Sequence, residues 1–282
     1  MFLFLLILLV FLIIIVWNYR VTKNTHWSFL SDRTWLERRN QYRKKANAKC
    51  CVISGDNRLS SDIALLKKIN QEYCDRNNYT FLFFDQLRLQ KYEKDYPPYW
   101  WKVKIVYDTM LKSNYEYVMW IDSDACFHDH SIRIESLPWK NKIFIMAGDN
   151  ETFKVSDHLN FVGEFNAGVW IVRNNSKGRC FMRDWLALFD KTQKDQRWYK
   201  RGKEWVCRYY FLPCMWAGTY YEQGSGYELM HHSKYAPYIL QMHHDILQGH
   251  KRPNKASYTI HFCGDTKKYI KDYHVTYVST RE

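Results

Sequence analysis

The chain has 282 residues, 46% hydrophobic and 18% aromatic, with a formal net charge of +13, enough for a core of ordinary size in one domain or two small ones. The basic balance does not point to nucleic acid, because a net +7 of it lies in residues 20–50. Among eight cysteines there is no C-x-x-C pair, which argues against a structural zinc site.

Residues 1–17, MFLFLLILLVFLIIIVW, are apolar without interruption. At 1.5 Å per residue they reach roughly 25 Å, enough to cross a thin bilayer with snorkelling flanks. The start lacks Lys and Arg, and no A-x-A site succeeds it, so an uncleaved transmembrane anchor over 1–18 is expected rather than a signal peptide. Residues 19–47 form a basic stem suited to anionic headgroups. The positive-inside rule alone would keep this stem and the globular part behind it cytosolic. Three N-x-S/T sequons, at Asn78, Asn150 and Asn174, weigh weakly for a lumen. Cys207 and Cys214 are close enough in sequence for a local disulfide there, and buried thiols fit equally well.

Beyond the stem, residues 48–282 read as one domain in which strand and helix patterns alternate. CCVIS (50–54) is a buried strand, and Ser61 caps a helix with Leu65, Ile69 and Tyr73 on one face. YTFLFFD (79–85) is a second strand, and a loop ending in Pro97-Pro98 leads to a helix over about 99–112. Its apolar face is Val103, Val106, Met110 and Leu111. Strand 117–121 runs into Asp122 and Asp124. Further strands are expected at 142–149, 168–174, 257–262 and 275–279, with a helix over 183–189. Residues 190–260 have no clear period. The alternation predicts a mostly parallel α/β sheet, whose ligands bind at the carboxyl ends of the strands.

Asp122 and Asp124 stand at such an end. Two carboxylates about 4 Å apart repel by ~4 kcal/mol at an effective dielectric near 20. Eighteen Asp predict about one D-x-D triplet by chance, so context must carry the reading. Here the pair ends an apolar strand, and the chain returns at once to ACF without a turn residue. A hard divalent cation, Mn²⁺ or Mg²⁺, removes the repulsion and attracts a diphosphate. That implies transfer chemistry with a nucleoside diphosphate leaving. No Walker-type or G-x-G-x-x-G loop is present, which counts against an ATPase or a dinucleotide-binding dehydrogenase.

The segment PPYWWKVKIVYDTMLKSNYEYVMWIDSDACFHD (97–129) resembles the core of glycosyltransferase family 34. These retaining enzymes include fungal Golgi galactosyl- and mannosyltransferases and plant xyloglucan xylosyltransferases. INQEYCDRNNYTFLFFD (69–85), EFNAGVWIVRNN (164–175), YYEQGSGYEL (220–229) and IHFCGDTKKY (260–269) resemble its other motifs, in the same order. The resemblance implies a GT-A type nucleotide-diphospho-sugar transferase fold with a mostly parallel mixed sheet. It also implies a metal-dependent hexosyl- or pentosyltransferase using a UDP- or GDP-sugar (galactose, xylose or mannose class) and a glycan acceptor. By family precedent the catalytic domain faces the Golgi or ER lumen, against the charge rule. A homo- or hetero-oligomer is compatible with it.

Carried over residue by residue, Asp122, Asp124 and His261 would hold the metal, with Asp122 also on the donor ribose. Lys102, of the P-x-W-x-K helix, and Gly168 would contact the donor. Asn166, Glu222 and Gln223 would be the catalytic group. Lys267 is chosen for the diphosphate, because the family's lysine position falls on Thr266. Ala167 replaces a hydroxyl residue, and Glu222 replaces an Asp. These departures keep a second reading open, an inactive relative serving as a complex subunit or glycan-binding module. A two-metal nucleotidyltransferase is disfavoured for want of a third carboxylate suitably placed on a neighbouring strand. The histidines at 231, 232, 243, 244 and 250 match no zinc spacing. The aromatic run 209–216 is a candidate acceptor wall.

Overall fold

The computed structural model describes residues 28–38, 49–58, 60–148, 165–194, 198–207, 221–249 and 253–279. The expected anchor over 1–18, Asn150, Cys214, His250 and the aromatic run 209–216 lie outside them. Among the described residues no helix is long and apolar enough to cross a membrane.

Strands are β1 (Ser28–Leu30), β2 (Cys50–Gly55), β3 (Thr80–Phe84), β4 (Tyr117–Ile121), β5 (Ala125–Phe127), β6 (Phe144–Ala147), β7 (Val169–Arg173), β8 (Trp198–Arg201), β9 (Glu204–Cys207), β10 (Ile239–Met242) and β11 (Thr259–His261). Helices are α1 (Asp32–Arg38), α2 (Ser61–Asn77), α3 (Gln86–Glu93), α4 (Pro98–Lys112), α5 (Ser176–Lys194), α6 (Glu222–His231), α7 (His244–Leu247) and α8 (Ile270–Ser279).

Seven strands make the main sheet, in the order β1-β10-β6-β7-β4-β2-β3. Only β7 is antiparallel to its neighbours, β4 and β6; the other pairings are parallel. The carboxyl ends of β2, β4, β6 and β10 therefore share one edge with the amino end of β7. Successive strand residues face opposite sides. Val118 and Trp120 join the core under α4, α5 and α6, whereas Tyr117, Met119 and Ile121 join the core on the other side with Tyr73, Phe127 and Tyr258. A separate antiparallel pair, β5 with β11, sits beyond the end of β4.

Local chemistry sets the boundaries. Ser60 rather than Ser61 caps α2, its Oγ accepting the Ile63 N–H, and Asn78 closes the helix in the left-handed region at φ 58°. Pro98 opens α4, where its missing N–H costs nothing. Leu66 is fully buried alongside Ile69 and Tyr73, while Leu65 is only half-buried. Leu111, expected on the apolar face of α4, is 55% exposed.

Two larger expectations are corrected. Residues 28–38, expected within the basic stem, belong to the fold: β1 pairs with β10 and Trp35 is completely buried. The surrounding lysines and arginines hid that short apolar signal. Residues 275–279 are helical, not a strand; Ile270, Tyr273 and Tyr277 are buried at helical spacing and Val275 is exposed. Residues 190–260, for all their lack of period, contain the β8–β9 hairpin, α6, β10 and α7.

Candidate functional site

The site is built where β4 ends. Asp122 comes directly after Ile121, and its N–H donates to the Gly168 carbonyl at 2.7 Å, so the antiparallel β4–β7 pairing continues into the site. Trp120 Nε1 donates to Asp122 Oδ1 at 2.6 Å and fixes that carboxylate. Two residues on, Asp124 enters β5. Asn70 of α2 clamps this strand, donating to the Ala125 carbonyl at 2.9 Å and accepting the Phe127 N–H at 3.1 Å. The register pairs Ala125 with His261, which places the imidazole beside Asp124 from far along the chain.

Ligand atoms of Asp122, Asp124 and His261 all lie within 4.8 Å of one another. His261 Nε2 is 3.2 Å from Asp124 Oδ1 and 3.9 Å from Asp122 Oδ2. Gly168 makes this approach possible. A Cβ there would stand 2.1 Å from His261 Cε1. Sequence resemblance assigned Gly168 to the donor; its lack of a side chain is what seats the imidazole.

The repulsion between the two aspartates is partly answered by side chains. Lys102 Nζ is 3.0 Å from Asp122 Oδ1 and 3.4 Å from Glu222 Oε1, and it donates to the Ala167 carbonyl at 3.2 Å. Burial would lower this ammonium's pKa, but Asp122 and Glu222 outweigh it and hold the proton. Lys267 Nζ lies 3.0 Å from Asp124 Oδ2. Burial would raise Asp124; His261 and then Lys267 prevail and keep it well below the usual carboxylate range. In the metal-free site a protonated His261 completes the balance of three carboxylates against three cations. With His261 neutral, as a metal ligand must be, and all three carboxylates ionised, one negative charge remains for a further cation.

The remaining expected residues reach the same edge. The Ala167 peptide is its hub: its N–H donates to Gln223 Oε1 at 3.0 Å, and its carbonyl accepts from both Lys102 and Trp170 Nε1. Asn166 is buried, with Oδ1 accepting the Gly168 N–H at 2.7 Å. Glu222 opens α6 and is almost fully buried; burial, partly opposed by Lys102, raises its pKa. Its Oε2 has no hydrogen-bond partner among the described residues. Thr266 is turned away, its hydroxyl donating to the Cys263 carbonyl, and Lys268 lies over the Tyr269 ring.

Sequence reasoning missed several groups. Asp56, just past the end of β2, is a further carboxylate close to the site. It is held by Ser123 Oγ at 2.5 Å and by Arg58 through Nε and Nη2 at 3.1 and 3.2 Å, so it ends in a neutral pair rather than a second metal site. An Asp directly after a buried strand was the available signal. Gln248 had none: it contacts His261, and only the folded chain brings them together. His243, His244 and Asp245 also bring ligand atoms within 4.8 Å of one another. There His243 Nδ1 accepts the Asp245 N–H at 3.4 Å, capping α7, and His244 Nε2 is 3.1 Å from Asp245 Oδ1. Cys207 is a buried free thiol.

Comparisons with known proteins bear on the family and the fold. Galactomannan galactosyltransferase 1 of Cyamopsis tetragonoloba is 25% identical over 180 residues, covering 61% of this chain and 40% of that protein. Xyloglucan 6-xylosyltransferase 2 of Arabidopsis thaliana is 28% identical over 133 residues, covering 46% and 27%. The chain thus spans less than half the length of these relatives. In fold it matches a crystal structure of a glycosyltransferase involved in glycosylation of the major capsid of PBCV-1. There the TM-score is 0.53 and the identity 16%, over 79% of this chain and 99% of that one. Residues 46–251, from just before β2 to just past Gln248, match a single family profile, with His261 and Lys267 beyond its end; by that match the chain belongs to the galactosyl transferase GMA12/MNN10 family.

Proposed function

We propose that this chain is a metal-dependent retaining glycosyltransferase that moves a sugar of the galactose, xylose or mannose class from a UDP- or GDP-sugar to a glycan hydroxyl. The observation that carries this reading is the convergence of Asp122, Asp124 and His261 within 4.8 Å at the carboxyl end of the sheet. Two carboxylate oxygens and an imidazole nitrogen are a donor set suited to Mn²⁺, less so to Mg²⁺. The residual negative charge and the Gly168 seat under His261 fit the same ion. When bound, such a cation supplies Lewis-acid stabilisation of charge on the departing diphosphate.

The chain's own groups complete the task. Lys267, about half exposed, has reach and charge for a phosphate. Lys102 holds Asp122, Glu222 and the Ala167 peptide in one constellation. The unpartnered Glu222 Oε2 is an acceptor for a sugar hydroxyl; leaving it buried and unpaired costs about 1–3 kcal/mol, which substrate would relieve. Gln223 cannot ionise, and its Oε1 is already engaged by the Ala167 N–H, so it is poorly placed to attack carbon. This supports front-face displacement, with the leaving phosphate taking the acceptor proton.

The apolar segment 1–17 and the exposed sequon residue Asn78 support a membrane-anchored, lumen-facing enzyme, whereas the Asn174 side chain is engaged with the Met110 and Tyr115 carbonyls. Loss of an endoglycosidase-sensitive mobility shift in Asn78→Gln checks that orientation. For the activity, the full chain in detergent with Mn²⁺ and a panel of UDP- and GDP-sugars should hydrolyse one donor slowly. Asp124→Ala should abolish both donor binding and turnover. Turnover that survives this substitution and chelation refutes the mechanism.

A further inference from the structure

Gln248 lies just past α7 and is completely buried. Its Nε2 donates to the Asn166 carbonyl at 3.2 Å and to the Val169 carbonyl at 3.0 Å, and its Oε1 lies 2.8 Å from His261 Nδ1. Backbone carbonyls only accept, and a primary amide has two hydrogens, so both are spent on the β7 entry loop. Turning the amide over would set Oε1 against two carbonyl oxygens. Its orientation is therefore fixed, and Oε1 faces the imidazole as an acceptor. Nδ1 must then carry a hydrogen. Nε2 then faces Asp122 and Asp124, and without metal it can carry the second hydrogen of an imidazolium against Asp124. Once that proton leaves, the single hydrogen of the neutral ring stays on Nδ1 and the Nε2 lone pair is turned to the two carboxylates. Gly168 beneath the ring and the Gly249 carbonyl on the His261 N–H, at 2.9 Å, hold the rest of the residue.

We propose that Gln248 is a positioning residue that locks His261 in the Nδ1–H tautomer, presents Nε2 to a divalent cation, and ties this ligand to the loop carrying Asn166, Ala167 and Gly168. Such outer partners set ring orientation and ligand basicity, and losing one typically costs about 10–100-fold in metal affinity. The inference rests on the proposed metal role of His261, but the tautomer is measurable without metal.

The test uses full-length protein labelled with ¹⁵N-histidine and free of metal and donor. The His261 signals are assigned by their loss in His261→Asn. Wild type should show Nδ1–H and unprotonated Nε2 for His261 at alkaline pH; the opposite tautomer overturns the proposal with no variant needed. In Gln248→Met, close in volume but unable to accept, the tautomers should mix, and Mn²⁺ affinity by electron paramagnetic resonance titration should fall about 10–100-fold. Gln248→Glu keeps an acceptor for Nδ1–H but sets its second oxygen against the Asn166 and Val169 carbonyls, so it should retain the Nδ1–H tautomer while lowering the melting temperature. A merely structural role would lower the melting temperature of both variants without moving the tautomer, and that result also overturns it. Wild type that binds no Mn²⁺ refutes the metal reading, while the tautomer measurement still decides the lock. Weakened binding in His261→Asn with unchanged binding in Gln248→Met refutes the lock and leaves the metal reading standing.

Discussion

Gly168→Ala isolates the steric logic of the site in one methyl group. Gly168 is not at positive φ, so alanine meets no backbone strain there. The new Cβ would be 2.1 Å from His261 Cε1, 2.6 Å from Nδ1 and 2.8 Å from Nε2. Restoring a carbon–carbon separation of ~3.5 Å requires the ring to retreat by about 1.4 Å. Metal–ligand distances tolerate only about 0.2 Å, so Nε2 leaves the ligand set. Overpacking of this kind costs about 1–3 kcal/mol, or roughly 2–4 °C of melting temperature per kcal/mol in a domain of this size. Mn²⁺ affinity should fall at least about 10-fold, read by isothermal titration calorimetry beside thermal unfolding. The double variant Gly168→Ala/His261→Ala should recover most of the lost stability, because the clash partner is gone, and none of the metal binding. A single variant with wild-type affinity and melting temperature would refute the argument.

Lys102→Met leaves Asp122 and the buried Glu222 without their shared ammonium, so unfolding free energy by urea titration should drop by about 3–5 kcal/mol near neutral pH. The loss should shrink in acid, since Glu222, raised by burial, takes up its proton early. Burial holds His231 down at about 4, below its usual 6.5. The folded state then resists a protonation that the unfolded chain accepts. Stability should be full above pH 6.5 and fall by about 1–2 kcal/mol between 6.5 and 4, after allowance for solvent screening; urea titrations should show this limb flattened in His231→Phe. Burial also pushes the Cys51 thiol up to about 12. Mass spectrometry after native alkylation should show label on the half-buried Cys180 and Cys263 and none on Cys51.

How much of this was legible in the sequence depends on how local each signal is. The strands ending near Gly55, Phe84 and Ile121 announce themselves as buried β-branched and aromatic runs, and Asp122 and Asp124 are conspicuous at the end of one. His261, Glu222 and Lys267 were reached through resemblance, since nothing in their own neighbourhoods marks them. Gln248 and Asp56 escaped because their roles are tertiary, defined by partners such as His261 and Ser123. The segment 275–279 misled for a different reason: its β-branched residues favour a strand, but the burial of Tyr273 and Tyr277 decides for helix. At 28–30 three residues are too few for any period to show.

That three-residue strand governs how the protein can be shortened. β1 covers the outer hydrogen-bonding row of β10, and the His243 N–H reaches back to the Leu30 carbonyl at 2.9 Å. Cutting at residue 46, where the family profile starts, would bare that row and uncover the apolar socket filled by Trp35, creating a template for edge-to-edge aggregation. Trimming only as far as the residues before Ser28 leaves the border sealed, so solubility should depend more on Ser28–Leu30 and Trp35 than on removing the apolar run 1–17.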